Sequence, residues 1–172
     1  MSDRIERQRE IVARHIRGEN AHDWETVYDT FEQSSASFYD VIPMHNTYHG
    51  IAGVHEFYES IAKAFPDFQI EVKAQYDSPG CSVVEVIVSG THRGDFFGLV
   101  PTGKFVRIPL AGIYLFNEDS THLLAERVYF DQVSLFAQLP FSLRNAVAGF
   151  KLLLQNRKAQ QKASAPVRAA AA

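Results

Sequence analysis

The segment Gly90-Thr91-His92-Arg93-Gly94-Asp95-Phe96-Phe97-Gly98-Leu99-Val100-Pro101-Thr102-Gly103 is the most informative part of this 172-residue sequence. It follows an apolar alternating run, contains four glycines and one proline, and is followed by a second apolar run. Glycine at a strand end lets the backbone bend or approach another group closely, and proline cannot donate a hydrogen bond to a neighbouring strand. We therefore place the segment at the rim of a sheet, as either a long hairpin connection or the mouth of a pocket.

Alternating apolar and polar residues around this segment predict long strands, and helical patterns precede them. Turn residues at Asp77–Gly80 and Asn117–Ser120 separate the strands. The predicted helices are 3–17, a short one after Asp23, and 51–64, with a break at 18–20. The predicted strands are 38–42, 68–76, 81–92, 104–116 and 122–131. Helices followed by strands in hairpins are typical of an α+β domain whose helices cover one face of an antiparallel sheet.

Composition is that of one soluble globular domain, with 46% hydrophobic and 22% charged residues. The single cysteine, Cys81, excludes an internal disulfide and a cysteine-rich zinc site. A charged N-terminus and the lack of a long apolar run lead us to expect a cytoplasmic protein. The first 131 residues carry eleven basic and twenty acidic side chains, a net charge of −9, which argues against nucleic acid as the main ligand.

The last part of the chain differs in charge, because no Asp or Glu follows Asp131 while six basic residues do. We expect one domain over 1–139, an amphipathic helix over 140–156 and a disordered tail over 157–172. The apolar positions of that helix are Leu143, Val147, Phe150 and Leu154. They favour packing against the domain or a dimer mate; binding to an anionic membrane surface is the alternative.

Short motifs along residues 8–139 resemble the SnoaL-like polyketide cyclase (ester cyclase) family, within the superfamily that includes nuclear transport factor 2 and ketosteroid isomerase. They are Gly50-x-x-Gly53-x-x-x-Phe57, Phe65-Pro66-Asp67, Gly90-Thr91-His92-x-Gly94-x-Phe96-x-Gly98, Pro101-Thr102-Gly103, Glu126 with Asp131, and Gln138-Leu139. The resemblance implies a curved antiparallel sheet closed by helices into a cone around a deep apolar cavity. It also implies a homodimer through the outer face of the sheet. The chain departs from the family pattern by continuing beyond Leu139.

Family members with known activity cyclise polyketide methyl esters by an intramolecular aldol step, and Asp131 falls at the position of their general acid/base. An apolar cavity would desolvate this carboxylate and raise its pKa toward neutrality. His92 or a tyrosine hydroxyl could stabilise the enolate. The alternative for Asp131 is an N-cap of the segment that follows it, and the alternative for His92 is a rim histidine bonded to its own hairpin.

The resemblance and the aromatic content together give a set of predicted site residues. The catalytic pair is Asp131 and His92, and the predicted substrate-binding residues are Tyr28, Tyr48, Phe97, Arg107 and Tyr129. Arg107 and Arg127 point either into the cavity or to solvent, and an Asp–Arg–Asp arrangement would resemble limonene epoxide hydrolase. We expect no metal, because the spacing of His45, His49 and His55 fits no standard zinc pattern. We expect no cofactor either, because such acid–base chemistry requires none. Gly90–Gly103 also lacks the Gly-Lys-Ser/Thr of a phosphate-binding loop.

The function that this sequence favours is a small-molecule enzyme of the polyketide cyclase or isomerase type. Its expected ligand is a small aromatic or polyketide-like carbonyl compound. The alternative is a ligand-binding or partner-binding domain without catalysis, since one fold often serves both. The location of Asp131 separates the two, because a base requires a closed aromatic pocket whereas a cap lies in solvent.

Overall fold

The computed structural model describes residues 2–140 and, separately, Val147, Phe150 and Leu154. Helices and strands alternate in the first half, and long strands fill the second half. In chain order the elements are α1 (Ser2–Ala21), α2 (Trp24–Tyr28), β1 (Phe38–Val41), a 3₁₀ turn (Ile42–Met44), β2 (Asn46–His49), α3 (Gly50–Ala64), β3 (Gln69–Ser78), β4 (Cys81–Thr91), β5 (Phe105–Phe116), β6 (Leu123–Phe130) and α4 (Gln132–Ala137).

The six strands form one curved, unclosed sheet in the order β2-β1-β6-β5-β4-β3. All neighbours are antiparallel except β1 and β6, which run parallel. The α+β prediction is therefore confirmed, with β2 as an additional short strand where we expected a loop. The register aligns Glu126 of β6 with Tyr39 of β1 on one side and Tyr114 of β5 on the other.

Helix α1 is longer than the sequence pattern predicted, because it continues through the expected break at residues 18–20. Gly18 lies within the helix and allows α2 to pack closely, since a Cβ there would lie 3.0 Å from the Val27 Cγ2 atom. Residues four apart lie on the same face of a helix, so the extra turn places Glu19 directly after His15. Both side chains are buried.

The core lies between the inner face of the sheet and helices α1 and α3. Every second residue of the central strands faces inward, as the period of two requires, and among these Val84, Val86, Val106, Ile108 and Val128 are buried. The inner face is thus apolar along most of its length. Near β1 it carries the row of Tyr39, Glu126 and Tyr114 instead.

The segment between β4 and β5 packs onto the end of α3. The backbone N–H groups of Arg93 and Gly94 donate to the Ala64 carbonyl oxygen at 2.8 and 3.2 Å. A Cβ on Gly94 would lie only 2.3 Å from the Lys63 carbonyl oxygen, so glycine is required for this approach. The glycine-rich connection is therefore fixed against the helix that closes the sheet.

No helix of the described residues is long and apolar enough to cross a membrane. The predicted helix over 140–156 and the tail over 157–172 fall almost wholly outside the described residues. Three positions of that helix are described: Val147, Phe150 and Leu154 are helical and exposed.

Candidate active site

An apolar cavity lies between the sheet and the helices, with about 860 Å³ of space free of atoms when its open mouth is included. Six phenylalanines form much of its wall: Phe57, Phe65, Phe68, Phe96, Phe97 and Phe130. The described wall contains two carboxylates, Glu19 and Glu126, and no lysine or arginine. Both carboxylates are buried, whereas Phe68, Phe97 and Phe130 are half-buried, so the carboxylates mark the closed end.

Three elements bring the polar groups of the closed end together. The sheet supplies Glu126 between two tyrosines, Tyr39 and Tyr114. Helix α3 supplies Tyr58, which lies on the same buried face as Phe57 and Ile61. Helix α1 supplies Glu19 and, behind it, His15, which does not reach the cavity wall. All of these side chains are inaccessible or nearly inaccessible to solvent from outside the protein.

The Tyr58 hydroxyl lies at the centre of this cluster. Its oxygen is 2.9 Å from His15 Nε2, 3.0 Å from Glu126 Oε2 and 3.2 Å from Glu19 Oε1. Tyr39 donates a further hydrogen bond to Glu126 Oε1 at 3.2 Å. The two carboxylates are therefore linked through one hydroxyl that has a single proton to donate.

The His15 ring is oriented from behind by Thr30. The Thr30 hydroxyl donates to the Val27 carbonyl oxygen at 2.6 Å, so it accepts a hydrogen bond from His15 Nδ1 at 2.7 Å. A proton is therefore assigned to Nδ1, and Nε2 faces Glu126 Oε2 at 3.2 Å. When His15 is protonated, Nε2 donates to Glu126 and forms a buried ion pair.

Burial and neighbouring charges shift the protonation of this cluster. Desolvation raises the pKa of Glu19 to about 8, the charge of His15 opposes that change, and the charge of Glu126 adds to it. Burial alone would lower the pKa of His15, but the charges of Glu19 and Glu126 outweigh burial and raise it. Burial and the charge of Glu126 raise the pKa values of Tyr39, Tyr58 and Tyr114 well above their usual range. At neutral pH these groups favour a protonated Glu19 and three neutral phenols.

The cluster also has the composition of a metal site, since donor atoms of His15, Glu19 and Glu126 all lie within 4.8 Å of one another. The Tyr58 hydroxyl, however, already lies within hydrogen-bond distance of all three side chains. Hydrogen bonds thus account for the close approach of these groups without an ion. The exception is Glu19 Oε2, which is buried and has no hydrogen-bond donor among the described residues.

The structure places Asp131 outside the cavity. Its carboxylate is exposed and caps α4, accepting hydrogen bonds from Val133 N at 2.9 Å and Ser134 Oγ at 2.6 Å. These bonds lower its pKa, which is the opposite of the shift that a desolvated base requires. The expectation of a buried Asp131 is therefore wrong, and the N-cap alternative describes its geometry.

His92 is buried, but it lies behind the cavity wall. Its ring stacks on Phe65 with centroids 5.4 Å apart, and Nδ1 is 3.2 Å from Thr102 Oγ1 of the same connection. Burial lowers the pKa of His92. It has the position of a histidine bonded to its own hairpin, and it does not belong to the described cavity wall, where a role in stabilising an enolate would require it.

Of the five predicted substrate-binding residues, only Phe97 belongs to the described cavity wall. Tyr28 stacks on His55 at 3.7 Å, and Tyr48 packs edge-on against Phe57 at 5.5 Å. Tyr129 is exposed on the outer face of the sheet. Arg107 is also exposed and pairs with Glu71 at 2.7 Å, so it points to solvent. The inward neighbours of Tyr129 on β6, Val128 and Phe130, line the cavity instead.

Sequence reasoning missed His15, Glu19 and Tyr58 and gave no chemical role to Glu126. A usable signal exists for the first two, because polar His15 and Glu19 share the face of α1 that also carries Val12 and Ile16. Glu126 likewise occupies an inward position of β6, two residues before Val128. A polar residue at a position reserved for the core is the feature that marks such a site.

The curved sheet, the covering helices and the apolar cavity define a domain with the ketosteroid isomerase-like fold. More narrowly, the model of the SnoaL-like polyketide cyclase family matches residues 9–139, and the chain belongs to that family. No curated protein matches the sequence.

Solved structures from several bacteria share the fold at identities too low to indicate more than the fold. AclR, a candidate hydroxylase from Streptomyces galilaeus, has a TM-score of 0.65 and 21% identity, covering 79% of this chain and 99% of its own. A candidate SnoaL-like polyketide cyclase from Jannaschia sp. CCS1 has a TM-score of 0.68 and 19% identity, with coverages of 77% and 91%. A ketosteroid isomerase-like protein from Catenulispora acidiphila, crystallised with trimethylamine, has a TM-score of 0.64 and 14% identity, with coverages of 76% and 94%.

Proposed function

We propose that this protein is a cyclase-type small-molecule enzyme that moves a proton next to a carbonyl group, with Glu126 as the base and Glu19 as the acid. The observation that carries the proposal is the pair of buried carboxylates, joined by Tyr58, at the closed end of an apolar cavity. Burial raises the pKa of Glu19, whereas hydroxyl donors surround Glu126, and two carboxyl groups in such different surroundings are a usual sign of an acid and a base in one site. The exposed, helix-capping position of Asp131 removes it from this chemistry and, by the criterion given with the sequence, favours the binding domain. The enzyme proposal therefore depends on Glu19 and Glu126 in place of Asp131.

Glu126 has the surroundings of a carboxylate base. Tyr39 and Tyr58 donate hydrogen bonds to it, and the His15 imidazolium supplies a positive charge at 3.2 Å. Two hydroxyl donors and one imidazolium therefore face the oxygens of Glu126. Glu126 also lines the cavity, so a ligand can reach it. A carboxylate in such a site can take a proton from a carbon next to a carbonyl group.

Glu19 has the surroundings of an acid, because burial raises its pKa to about 8 and keeps it protonated at neutral pH. A neutral carboxylic acid in an apolar cavity can donate a hydrogen bond to the carbonyl oxygen. That bond strengthens when the oxygen gains the charge of an enolate. The phenols of Tyr39 and Tyr114 stay protonated and line the same end of the cavity.

The reaction follows from these two roles. Glu126 removes the α-proton, and the C–H electron pair becomes the enolate whose oxygen Glu19 stabilises. The enolate carbon then forms a C–C bond with a second carbonyl carbon of the same molecule. The resulting alkoxide takes the proton back from Glu126, so no proton is gained or lost. The phenylalanine walls favour an uncharged, aromatic or polyketide-like substrate that is folded inside the cavity.

The test is exchange of α-hydrogens in D₂O, followed by proton NMR on a panel of neutral aromatic β-keto methyl esters. Wild type should accelerate exchange of at least one panel member, and Glu126→Gln should reduce that rate by about 10²-fold or more. Asp131→Asn is the matched control, because Asn also caps helices, and it should keep the wild-type rate. Equal rates for wild type and Glu126→Gln, or a loss confined to Asp131→Asn, would refute the proposal.

A further inference from the structure

The closed end of the cavity has an imbalance of charge and hydrogen bonding that the acid–base roles do not use. Two carboxyl groups face a wall whose described residues include no lysine or arginine. Among the residues that the structure describes, the cationic group near them is His15, which lies behind the wall. Glu19 Oε2 is buried, has no hydrogen-bond partner in the part of the chain that the structure describes, and lies 3.7 Å from His15 Nε2. A buried polar atom without a partner is costly, so this oxygen favours a donor brought by a ligand.

We propose that the closed end binds the ammonium group of a hydrophobic amine, with its nitrogen between Glu19 and Glu126 and its apolar part along the phenylalanine wall. The amine is a ligand that occupies the place of the carbonyl substrate and is not itself converted. This goes beyond the proposed acid–base function, which concerns neutral carbonyl compounds, and it does not require that function to be correct.

Charge complementarity is the first argument for an ammonium group. In the free protein Glu19 is protonated at neutral pH, so the His15 imidazolium balances Glu126 alone. An ammonium group between the two carboxyl groups supplies the counter-charge with which Glu19 can release its proton. His15 offers only Nε2, because Nδ1 is bonded to Thr30. An ammonium group brings one positive charge and three N–H donors. One of these donors can reach Glu19 Oε2, which has no donor at present, while another reaches Glu126.

The aromatic surroundings are the second argument. Tyr39 stacks on Phe57 with centroids 3.6 Å apart, and Tyr58 packs edge-on against both rings at 5.6 and 5.1 Å. All three rings belong to the cavity wall beside Glu126. Aromatic faces attract cations, and they do so more strongly where water is excluded. The described residues of the same wall include no lysine or arginine that could balance the charge of a ligand carboxylate, which would lie beside Glu126.

The experiment compares three ligands of the same shape: phenylpropylamine, phenylpropanol and phenylpropanoate. Isothermal titration calorimetry on the full chain at pH 7 measures their dissociation constants. The amine should bind about tenfold more tightly than the alcohol, and the carboxylate about tenfold more weakly than the alcohol. In Glu19→Gln and Glu126→Gln the preference for the amine should shrink to about twofold or less while the alcohol affinity stays unchanged. Glu85→Gln, at an exposed outward position of β4, should keep the full preference.

Equal affinities for amine and alcohol in wild type, or tight binding of the carboxylate, would overturn the proposal. An amine preference that survives in both glutamine variants would do so as well. If a glutamine variant does not fold, the position of the amine is determined in wild type from nuclear Overhauser effects between the bound amine and the aromatic rings of the cavity. Contacts from the methylene next to nitrogen to the Tyr58 ring support the proposal, and contacts from that methylene to Phe97 alone contradict it. This experiment measures binding only, so an absence of α-hydrogen exchange would refute the proposed function without affecting the amine proposal. Likewise, a failure to bind the amine would refute the amine proposal without affecting the proposed function.

Discussion

Replacing Glu19 with glutamine tests the protonation state on which the site depends. Glutamine has the shape of a protonated glutamate and does not titrate. In the folded protein the pKa of Glu19 is raised from 4.5 to about 8, so between these values the folded state holds a proton that the unfolded chain has lost. Stability from Glu19 is therefore present at low pH and is lost as the pH rises through that window.

The magnitude follows from the width of the window. Each pKa unit corresponds to about 1.36 kcal/mol, so raising the pH from about 5.5 to about 8 should cost wild type on the order of 3 kcal/mol through Glu19 alone. The free energy of unfolding of Glu19→Gln should therefore rise by about that amount relative to wild type over the same interval. His15 shifts stability in the same direction in wild type, because its pKa is also raised. The Glu19→Gln substitution weakens that shift, because the charge of Glu19 is the largest of the causes that raise the pKa of His15.

The assay is urea unfolding followed by circular dichroism at several pH values, for wild type, Glu19→Gln and the exposed control Glu85→Gln. The difference in unfolding free energy between wild type and Glu19→Gln should change with pH, whereas the difference for Glu85→Gln should not. A wild-type to Glu19→Gln difference that stays constant within about 0.5 kcal/mol would refute the assignment of a proton to Glu19 at neutral pH.

Three further substitutions test separate parts of the account. Asp131→Ala removes the cap of α4 and should lower the free energy of unfolding by about 1 kcal/mol in urea titrations, with phenylpropanol affinity unchanged; a large affinity loss would contradict its place outside the cavity. Tyr58→Phe leaves Glu19 and Glu126 without their shared hydroxyl and should cost about 1–3 kcal/mol by the same assay, whereas no cost would mean that these hydrogen bonds do not form. Gly94→Ala forces a Cβ against the Lys63 carbonyl and should lower the free energy of unfolding by about 1–3 kcal/mol. An unchanged thermal midpoint would show that the segment between β4 and β5 does not pack against α3.

The fold could be predicted because its signals are local. Period-two alternation gave the four long strands within one or two residues, and Pro66 marked the end of α3. The glycine-rich connection at 90–103 was correctly placed beside the cavity, since Gly90, Phe96 and Phe97 line it. Strand β2 was missed because its residues, Asn46–His49, carry no apolar alternation.

The site could not be predicted in the same way, because it depends on contacts between distant elements. Gly18 was interpreted as a helix break, which left Glu19 in a loop, whereas in the structure Gly18 is a position of close packing against Val27 inside α1. Asp131 was favoured by its place in the family pattern. Its position immediately after β6 makes it a cap, while Glu126, five residues earlier, points inward between Tyr39 and Tyr114.

The most direct test of the central claim is a pH titration of the glutamate side-chain carboxyl carbons by ¹³C NMR. The account predicts one carboxyl resonance with a midpoint near pH 8, present in wild type and in Asp131→Asn and absent in Glu19→Gln. If every glutamate resonance of wild type titrates below about pH 6, no carboxyl group holds a proton at neutral pH, and the acid–base pair of Glu19 and Glu126 is contradicted.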